Sequence, residues 1–312
     1  MSQLRKIRYR LFAWRSFPKL KPAQEPIDVV IPLVAKDLQI FPLCLEGIRH
    51  CVPHPVENIY IVAPPQEEVI RFCKENGLVF VDESSVFGFN PKEINLKIKW
   101  SDGTVRDRSG WFFQQLLKLS GKVGTCRYYL CVDADHVLIR PHTFLTEDRK
   151  TVFYMTYEYH QPIIDHLHRF LPDLTLDNLS YVDHKMLFDK EQLKKLQDAI
   201  SQQTGKPWLE AAIESYDRSL STPSAFSEFE IYGNFVQQKV RRPWLQKRLS
   251  YKHLADYDTL VRRWSRSRWS LTFPEYINAT PHSDQRSENA TPHSDQRSEN
   301  ATPHSDQRSE NM

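Results

Sequence analysis

The sequence predicts an α/β protein built on an open, mostly parallel β-sheet flanked by helices. Three short apolar runs near the start of the chain, at 27–34, 59–62 and 78–81, have the composition of buried parallel strands. Two stretches with helical periodicity lie between them, at 38–51 and 66–76. A β-α-β-α-β order is typical of an open α/β sheet, and such sheets bind ligands beyond the carboxyl ends of their strands.

The composition of the 312-residue chain narrows the class of protein. Hydrophobic residues make up 40% and aromatic residues 12%, which is enough for one large core. No Gly-x-Gly-x-x-Gly or Walker-type loop is present, which disfavours a dinucleotide-dependent dehydrogenase or a P-loop kinase. The five cysteines lack Cys-x-x-Cys spacing, so reduced thiols in the cytoplasm are expected. No apolar run is long enough to span a membrane.

The N-terminal segment, residues 1–24, is basic and has one apolar face. It contains seven Lys or Arg residues and no Asp or Glu. The apolar residues Leu4, Ile7, Leu11, Phe12 and Trp14 are spaced so that one face of a short helix is apolar, without the continuous apolar region of a secretory signal. Two interpretations stay open: a helix that lies on an anionic membrane surface, or a basic tail that packs on its own domain.

A stretch in the middle of the chain carries the strongest functional signal. An apolar run at 128–132 predicts a buried strand, which stops at Asp133-Ala134-Asp135 and is followed by a second apolar run. Carboxylate oxygens at the end of a strand are suitable ligands for Mg²⁺ or Mn²⁺, which also bridge to diphosphates. His136 adds a nitrogen ligand or a hydrogen-bond donor beside them. The alternative is that the acidic pair only marks the point where the strand reaches water.

Further elements are predicted on either side of this stretch. A helix at 111–119 carries Lys118, which either reaches a phosphate group or is a solvated helix lysine. The elements predicted after the acidic pair are strands at 151–157 and 179–183, the second continuing at 185–188, and a helix at 190–201.

A second informative stretch contains Glu228 and Glu230, two residues apart among aromatic side chains. Aromatic surroundings partly desolvate a carboxylate, favour its neutral form and can raise its proton affinity toward that of a useful base. The alternative is that both glutamates only cap or flank a helix.

The last part of the chain is first basic and then repetitive. Residues 241–277 combine Lys and Arg with three tryptophans, which suits anionic lipid or a phosphorylated acceptor. Nucleic acid is not expected as a partner, because no recognised reader motif is present. His253 precedes Asp256 and Asp258 and is a candidate further metal ligand. Residues 278–312 repeat an eleven-residue unit whose only apolar residue besides proline is Ala, so this tail is expected to be disordered.

Three stretches, taken in order, resemble nucleotide-sugar glycosyltransferases of the GT-A fold. They are Asp-Val-Val-Ile-Pro-Leu at 28–33, Tyr-Leu-Cys-Val-Asp-Ala-Asp at 129–135 and Ser-Glu-Phe-Glu-Ile-Tyr-Gly-Asn-Phe at 227–235. More narrowly, the set resembles a little-characterised group of bacterial glycosyltransferase-like proteins with an Asp-x-Asp motif. The resemblance covers about 27–240, and it implies a catalytic domain at 25–240 with an open, mostly parallel, Rossmann-like sheet.

The resemblance also implies roles for residues at matching positions. Asp133 and Asp135 would hold Mn²⁺ or Mg²⁺ against the donor diphosphate, with Asp135 as the direct ligand. Glu230, or alternatively Glu228, would be the general base that takes the proton of the acceptor hydroxyl in an inverting displacement. A retaining reaction would need a different assignment. The residues expected to bind the nucleotide-sugar are Pro32, Leu33, Val34, Asp37, Asp82, Lys118 and Asp133.

The resulting hypothesis is a metal-dependent, hexosyltransferase-like enzyme that uses a nucleotide-sugar donor. Its acceptor would be a saccharide or a lipid-linked saccharide in surface polysaccharide or lipopolysaccharide synthesis, and the membrane-proximal acceptor rests on the basic, aromatic ends. The expected location is the cytoplasm, with peripheral attachment to the inner face of the membrane as an option. Two alternatives are a nucleotidyltransferase of the same fold and a non-catalytic, membrane-peripheral binding protein.

Overall fold

A five-stranded, mostly parallel sheet lies at the centre of the computed structural model, which describes residues 2–100, 102–222 and 224–274. The β-strands in chain order are β1 (Ile27–Pro32), β2 (Val56–Ala63), β3 (Val79–Asp82), β4 (Lys97–Lys99), β5 (Val105–Asp107), β6 (Tyr128–Val132), β7 (His136–Leu138), β8 (Thr151–Met155), β9 (Lys185–Asp189), β10 (Lys239–Pro243), β11 (Gln246–Arg248) and β12 (Ser270–Thr272). The α-helices in chain order are α1 (Ser2–Trp14), α2 (Phe41–Cys51), α3 (Glu67–Asn76), α4 (Glu83–Phe87), α5 (Ser109–Lys118), α6 (Gln161–Phe170), α7 (Lys190–Thr204), α8 (Trp208–Ser215), α9 (Glu228–Phe235) and α10 (Tyr257–Trp264).

The central sheet has the strand order β3-β2-β1-β6-β9, which confirms the predicted open α/β architecture. Strand β1 pairs in parallel with β2 on one side and with β6 on the other, whereas β9 runs antiparallel to β6. Every residue of β1 and β6 is buried, as expected for apolar strands covered on both faces. The strand order reverses between β1 and β6, and in open α/β sheets the crevice beyond such a reversal binds ligands.

Two hydrophobic cores cover the two faces of the sheet. Because successive side chains of a strand point to opposite faces, Val30 and Cys131 lie in one core while Ile31 and Leu130 lie in the other. The first core includes residues of α5, α7 and α9, and the second includes residues of α2 and α3. Burial of each large apolar side chain contributes about 1.5–3 kcal/mol. The strand that precedes the acidic pair is therefore held firmly from both sides.

Helix α2 packs closely against the strand that follows the acidic pair. A Cβ atom on Gly47 would lie 2.7 Å from the carbonyl oxygen of Leu138, which is closer than such atoms approach. Since glycine has no side chain, the helix can press against the backbone of β7. This contact fixes β7 directly beside the end of β6.

The structure differs from the predicted strand at 179–183. Within this stretch Ser180 forms an isolated bridge with Thr156, and the regular strand β9 begins only at Lys185. The reason is local hydrogen bonding, because the Ser180 hydroxyl and the Tyr181 amide both donate to the Glu230 carboxylate. This segment therefore supports α9 instead of extending the sheet.

The basic C-terminal part of the described chain pairs with strands that follow the acidic pair, in two small sheets beside the central one, and α1 lies against β10. Strand β10 pairs in parallel with β8, and β12 pairs antiparallel with β7, so the C-terminal part contributes buried residues such as Leu271 and Phe273. Within the described ranges, no helix combines the length and the apolar character needed to cross a bilayer. The repeats predicted to be disordered, at 278–312, lie outside the described residues.

Candidate active site

A cavity of about 1030 Å³ opens beyond the carboxyl ends of β1 and β6. Pro32 and Val34, at the end of β1, form part of its wall, and Asp133, Ala134 and Asp135 follow β6 into it. The cavity therefore lies at the reversal of strand order, where the fold predicts a ligand site.

The acidic pair forms a tight turn between β6 and β7. The amide of His136 donates to the carbonyl oxygen of Asp133 at 3.0 Å, which closes the turn around the small side chain of Ala134. The carbonyl oxygen of Asp135 accepts from the Phe273 amide at 2.9 Å, which ties the turn to the segment after β12. The two carboxylates are thus fixed by backbone contacts on both sides.

The antiparallel direction of β9 brings a third polar side chain to this turn. Val132 at the end of β6 pairs with Lys185 at the start of β9, so the residue before β9 lies beside Asp133. That residue is His184, whose carbonyl oxygen accepts from the Asp133 amide at 2.8 Å. Its ring Nδ1 lies 2.9 Å from Asp133 Oδ2, and its ring stacks on that of His136.

Asp133, Asp135 and His184 form a group suited to a divalent cation. One ligand atom from each residue lies within 4.8 Å of the others. Asp135 Oδ1 is buried and has no hydrogen-bond partner among the described residues, although a buried carboxylate oxygen normally has one. Two carboxylates and an imidazole match the ligand preferences of Mn²⁺, and the bond between His184 and Asp133 would orient the ring. The donor set therefore fits a metal ion.

Lys118 links this group to the glutamate pair. Its Nζ lies 2.7 Å from Asp133 Oδ1 and 2.8 Å from Glu228 Oε1, and its side chain is almost fully buried. Burial alone would lower the pKa of Lys118, but the charges of Asp133 and Glu228 reverse this effect and raise it. The lysine is therefore a permanent cation at the cavity wall and not a solvated helix lysine.

The pKa values of the two aspartates of the turn are shifted in opposite directions. Burial would raise the pKa of Asp133, but Lys118 and His184 lower it well below its usual range. Burial raises the pKa of Asp135 to about 6, with Asp133 adding to the shift and His184 opposing it. Burial would lower the pKa of His184, but its hydrogen bond to Asp133 reverses this and raises it. A bound cation would compete with protons on Asp135 and His184.

This competition predicts a pH-dependent stabilisation by metal. Asp135 binds a proton more tightly in the folded than in the unfolded chain, so stability is lost as pH rises from its ordinary pKa of 3.8 through about 6. A cation binds only the deprotonated carboxylate, so the increase in melting temperature caused by Mn²⁺ is expected to be small at pH 5 and larger at pH 7.5. Thermal unfolding with and without Mn²⁺ measures this. A shift of equal size at both pH values would contradict the site, and Asp135→Asn should remove the pH dependence near 6.

Glu228 and Glu230 lie in the first turn of α9, which Ser227 caps through a hydrogen bond to the Glu230 amide. Helix α9 brings both residues to the cavity wall. Glu228 is paired with Lys118, whereas Glu230 accepts from neutral donors, namely Ser180, Tyr181 and the Asn234 amide. Burial raises the pKa of both glutamates, and Lys118 opposes the shift only at Glu228.

The structure brings most of the sequence-predicted site residues to the cavity. Those that line it are Pro32, Val34, Asp37, Lys118, Asp133, Asp135, Glu228 and Glu230. Leu33 points into the core and is buried. Asp82 accepts from the Ser84 amide at 2.9 Å and caps α4, while its neighbour Glu83 lines the cavity.

The structure places two further candidate histidines outside the group of Asp133, Asp135 and His184. His136 is fully buried, and its Nδ1 lies 2.8 Å from the Thr272 hydroxyl, so it supports the His184 ring from behind. His253 lies in a 3₁₀ turn at Tyr251–Asp256, with its Nδ1 3.2 Å from the Ser250 carbonyl oxygen, and the structure does not bring it to the acidic group.

His184 is the site residue that sequence reasoning missed. The available signal was its position directly before the apolar run of β9, next to Asp183 and Lys185. These two neighbours form a buried ion pair of 2.6 Å that anchors the start of β9. Aromatic and basic cavity residues were also not predicted, and they include Lys6, Lys36, Arg108, Trp111, Tyr157 and Arg248.

Solved structures similar to this chain include two glycosyltransferases. Mouse xyloside xylosyltransferase 1, in its apo form, has 11% sequence identity and a TM-score of 0.46, and the match covers 80% of this chain and 98% of that one. The galactosyltransferase LgtC, in complex with donor and acceptor sugar analogs, has 10% identity and a TM-score of 0.43, with 79% and 87% covered. No curated protein sequence matches the chain.

A family model gives broader coverage of the sequence. The model of DUF6492, described as a family of unknown function, matches residues 24–287. The match spans all the strands of the central sheet and every residue of the acidic group. The chain therefore belongs to the DUF6492 family.

Proposed function

We propose that this protein is a metal-dependent glycosyltransferase that moves a sugar from a nucleotide-sugar to a saccharide or lipid-linked acceptor. Synthesis of a surface polysaccharide or lipopolysaccharide is the proposed setting. The observation that carries the proposal is the Asp133, Asp135 and His184 group beside the buried cation of Lys118. Its place at the strand-order reversal and the size of the cavity support a ligand as large as a nucleotide-sugar.

The residues of the cavity suit the two halves of such a donor. Mn²⁺ or Mg²⁺, held by Asp133, Asp135 and His184, would supply positive charge beside a departing diphosphate. Lys118 adds a fixed cation next to Asp133, and Lys36 and Arg108 line the same cavity. Trp111 and Tyr157 offer aromatic faces of the kind that pack on sugar rings or bases. The metal and these cations would together supply the positive charge that an anionic donor needs, because the cavity lining itself holds more Asp and Glu than Lys and Arg.

Glu230 is the better candidate for the general base. Burial raises the pKa of Glu230, and its hydrogen bonds from neutral donors and the charge of Arg5 only partly oppose this shift. Glu228 and Asp133 both form ion pairs with Lys118. The pairing stabilises the charged form of Glu228, so the role proposed for Glu228 is to hold Lys118 in position. An acceptor hydroxyl beside Glu230 could therefore lose its proton to that carboxylate as the new glycosidic bond forms.

Substitution of the two glutamates separates these tasks. Glu230→Gln is expected to reduce the transfer rate by about 10²-fold or more while leaving metal-dependent nucleotide binding intact, because only the base is lost. Glu228→Gln is the matched variant, expected to weaken nucleotide binding through a misplaced Lys118. Rate measurements and calorimetry on both variants test the assignment. Unchanged transfer by Glu230→Gln would overturn it.

The reaction itself is tested by incubating the protein with a panel of nucleotide-sugars and Mn²⁺. Release of nucleoside diphosphate that stops with EDTA and resumes with excess Mn²⁺ is the expected result. Pyrophosphate as the product would identify the rival nucleotidyltransferase, and activity unaffected by chelation would exclude the metal site. Absence of any metal-dependent nucleotide binding in calorimetry would favour the non-catalytic binding protein.

A further inference from the structure

Helix α1 carries an apolar stripe that the described part of the chain leaves exposed. Leu4, Ile7, Leu11 and Trp14 are 57%, 53%, 59% and 88% exposed. Their spacing of three, four and three residues places them on one face of the helix. Single exposed apolar residues are ordinary, but four in a row on one helix form a patch that marks an interaction surface.

The opposite face of α1 is fixed to the domain. The Tyr9 hydroxyl donates to the carbonyl oxygen of Trp244, and the Tyr9 ring packs on Tyr157 at 5.4 Å. Arg5 donates to the Glu158 carbonyl oxygen at 3.1 Å and lies over the Tyr159 ring. Since these contacts hold the helix in one orientation, its apolar stripe faces outward in a fixed position on the protein surface.

Positive charge surrounds the stripe. Arg8, Arg10 and Arg15 of this segment are exposed, and α1 contains no acidic residue. A second basic cluster lies around Trp264, where Lys247, Arg263 and Arg268 approach the ring to within 5.1–5.5 Å. The Tyr9 hydroxyl of α1 donates to the Trp244 carbonyl oxygen, and the next carbonyl oxygen, that of Leu245, accepts at 2.7 Å from the amide of Trp269, the residue after Arg268, so this cluster lies near α1.

We propose that the α1 stripe and the Trp264 basic cluster form one surface that docks on an anionic lipid bilayer. An amphipathic helix with apolar and basic sides lies in the interface of such a bilayer, with its apolar residues among the acyl chains and its cations at the headgroups. A second copy of the chain is a poorer partner, because pairing two such surfaces would bring like charges together. The charge of the surface therefore favours an anionic membrane.

The same helix connects this surface to the cavity. Lys6 of α1 lines the cavity, and so does Glu158, which accepts the hydrogen bond from Arg5. Docking would place the cavity mouth close to the headgroups. Resting on the proposed function, this placement assigns the acceptor to the lipid-linked class, which is presented at the bilayer surface.

Co-sedimentation of the full chain with vesicles tests the docking surface. Binding is expected to vesicles of phosphatidylcholine with phosphatidylglycerol, to be weak on phosphatidylcholine alone, and to fall as salt is raised. Ile7→Glu with Leu11→Glu should lower the partition coefficient by about tenfold or more, since it removes buried apolar area and adds negative charge. Ile70→Glu with Val105→Glu is the matched control, because these exposed apolar residues lie on α3 and β5.

The outcomes are distinct. Equal loss of binding in both double variants, or equal binding to neutral and anionic vesicles, would overturn the proposal. Ile7→Ser with Leu11→Ser removes the apolar side chains without adding charge and should also lower vesicle binding. Light scattering that shows the wild type as a dimer but this variant as a monomer would instead assign the stripe to self-association. Donor hydrolysis in solution is expected to be unchanged in all these variants, so failure of docking is distinguishable from failure of the catalytic proposal.

Discussion

Replacing Asp135 with Asn is expected to abolish metal-dependent nucleotide binding and to lower sugar transfer by about 10³-fold or more, since a metal contributes several kcal/mol to charge stabilisation. The structural reason is the buried Asp135 Oδ1, which has no partner among the described residues and would become a metal ligand. An amide of the same shape cannot supply the anionic oxygen. Calorimetry with Mn²⁺ and a nucleoside diphosphate, together with transfer assays, measures both effects.

The melting temperature of the Asp135→Asn variant shows whether Asp135 is needed for function or for folding. Burial raises the pKa of Asp135 to about 6, so its charge is unfavourable in the metal-free protein at pH 7.5. Removing that charge should leave the metal-free melting temperature unchanged or higher, although activity is lost. A large decrease in melting temperature would instead show that Asp135 is needed for folding.

His253→Ala is the matched control for the metal site. His253 lies in the Tyr251–Asp256 turn, away from the acidic group. Metal binding is therefore expected to survive in this variant. If His253→Ala removed the Mn²⁺ effect and Asp135→Asn did not, the metal site would lie elsewhere in the chain.

The acidic turn could be predicted because its signal is local. An apolar run followed at once by Asp133-Ala134-Asp135 is visible in the sequence, and this pattern predicts a buried strand that ends at the two carboxylates. His184 could not be predicted in the same way. The apolar run of β9 indicates a strand but not its direction, and only the antiparallel pairing of Val132 with Lys185 places His184 at the turn.

Two further residues show where sequence reasoning reaches its limit. Asp82 is predicted to bind the nucleotide, but Asp-x-Ser is also a helix-capping pattern, and in the structure the Asp82 carboxylate accepts from the Ser84 amide at the start of α4. Lys118 had two open interpretations, solvated or phosphate-binding. Its burial depends on Asp133 and on Glu228, which is 110 residues further along the chain, and such a long-range contact leaves no local pattern.

Lys118→Met is expected to lower the free energy of unfolding by about 3–5 kcal/mol, because it leaves buried carboxylates without their shared cation. Glu228 should account for more of the loss than Asp133, since its side chain is 1% exposed and that of Asp133 is 29% exposed. Urea unfolding of the variant and of wild type measures the difference. Sugar transfer should be lost as well, because Lys118 also orients Asp133.

The pH dependence and a second substitution identify the cause of this loss. Without Lys118, the strongest opposition to burial is lost and the pKa of Glu228 rises further, so the folded variant binds a proton more tightly than the unfolded chain. Its stability relative to wild type should therefore recover as pH falls from 8 to 5. Adding Glu228→Gln should restore part of the stability at pH 8, with a coupling energy of about 0.5–3 kcal/mol. A loss that is equal at both pH values and unchanged in the double variant would mean that Lys118 acts through the packing of its side-chain stem and not through its pairing with Glu228.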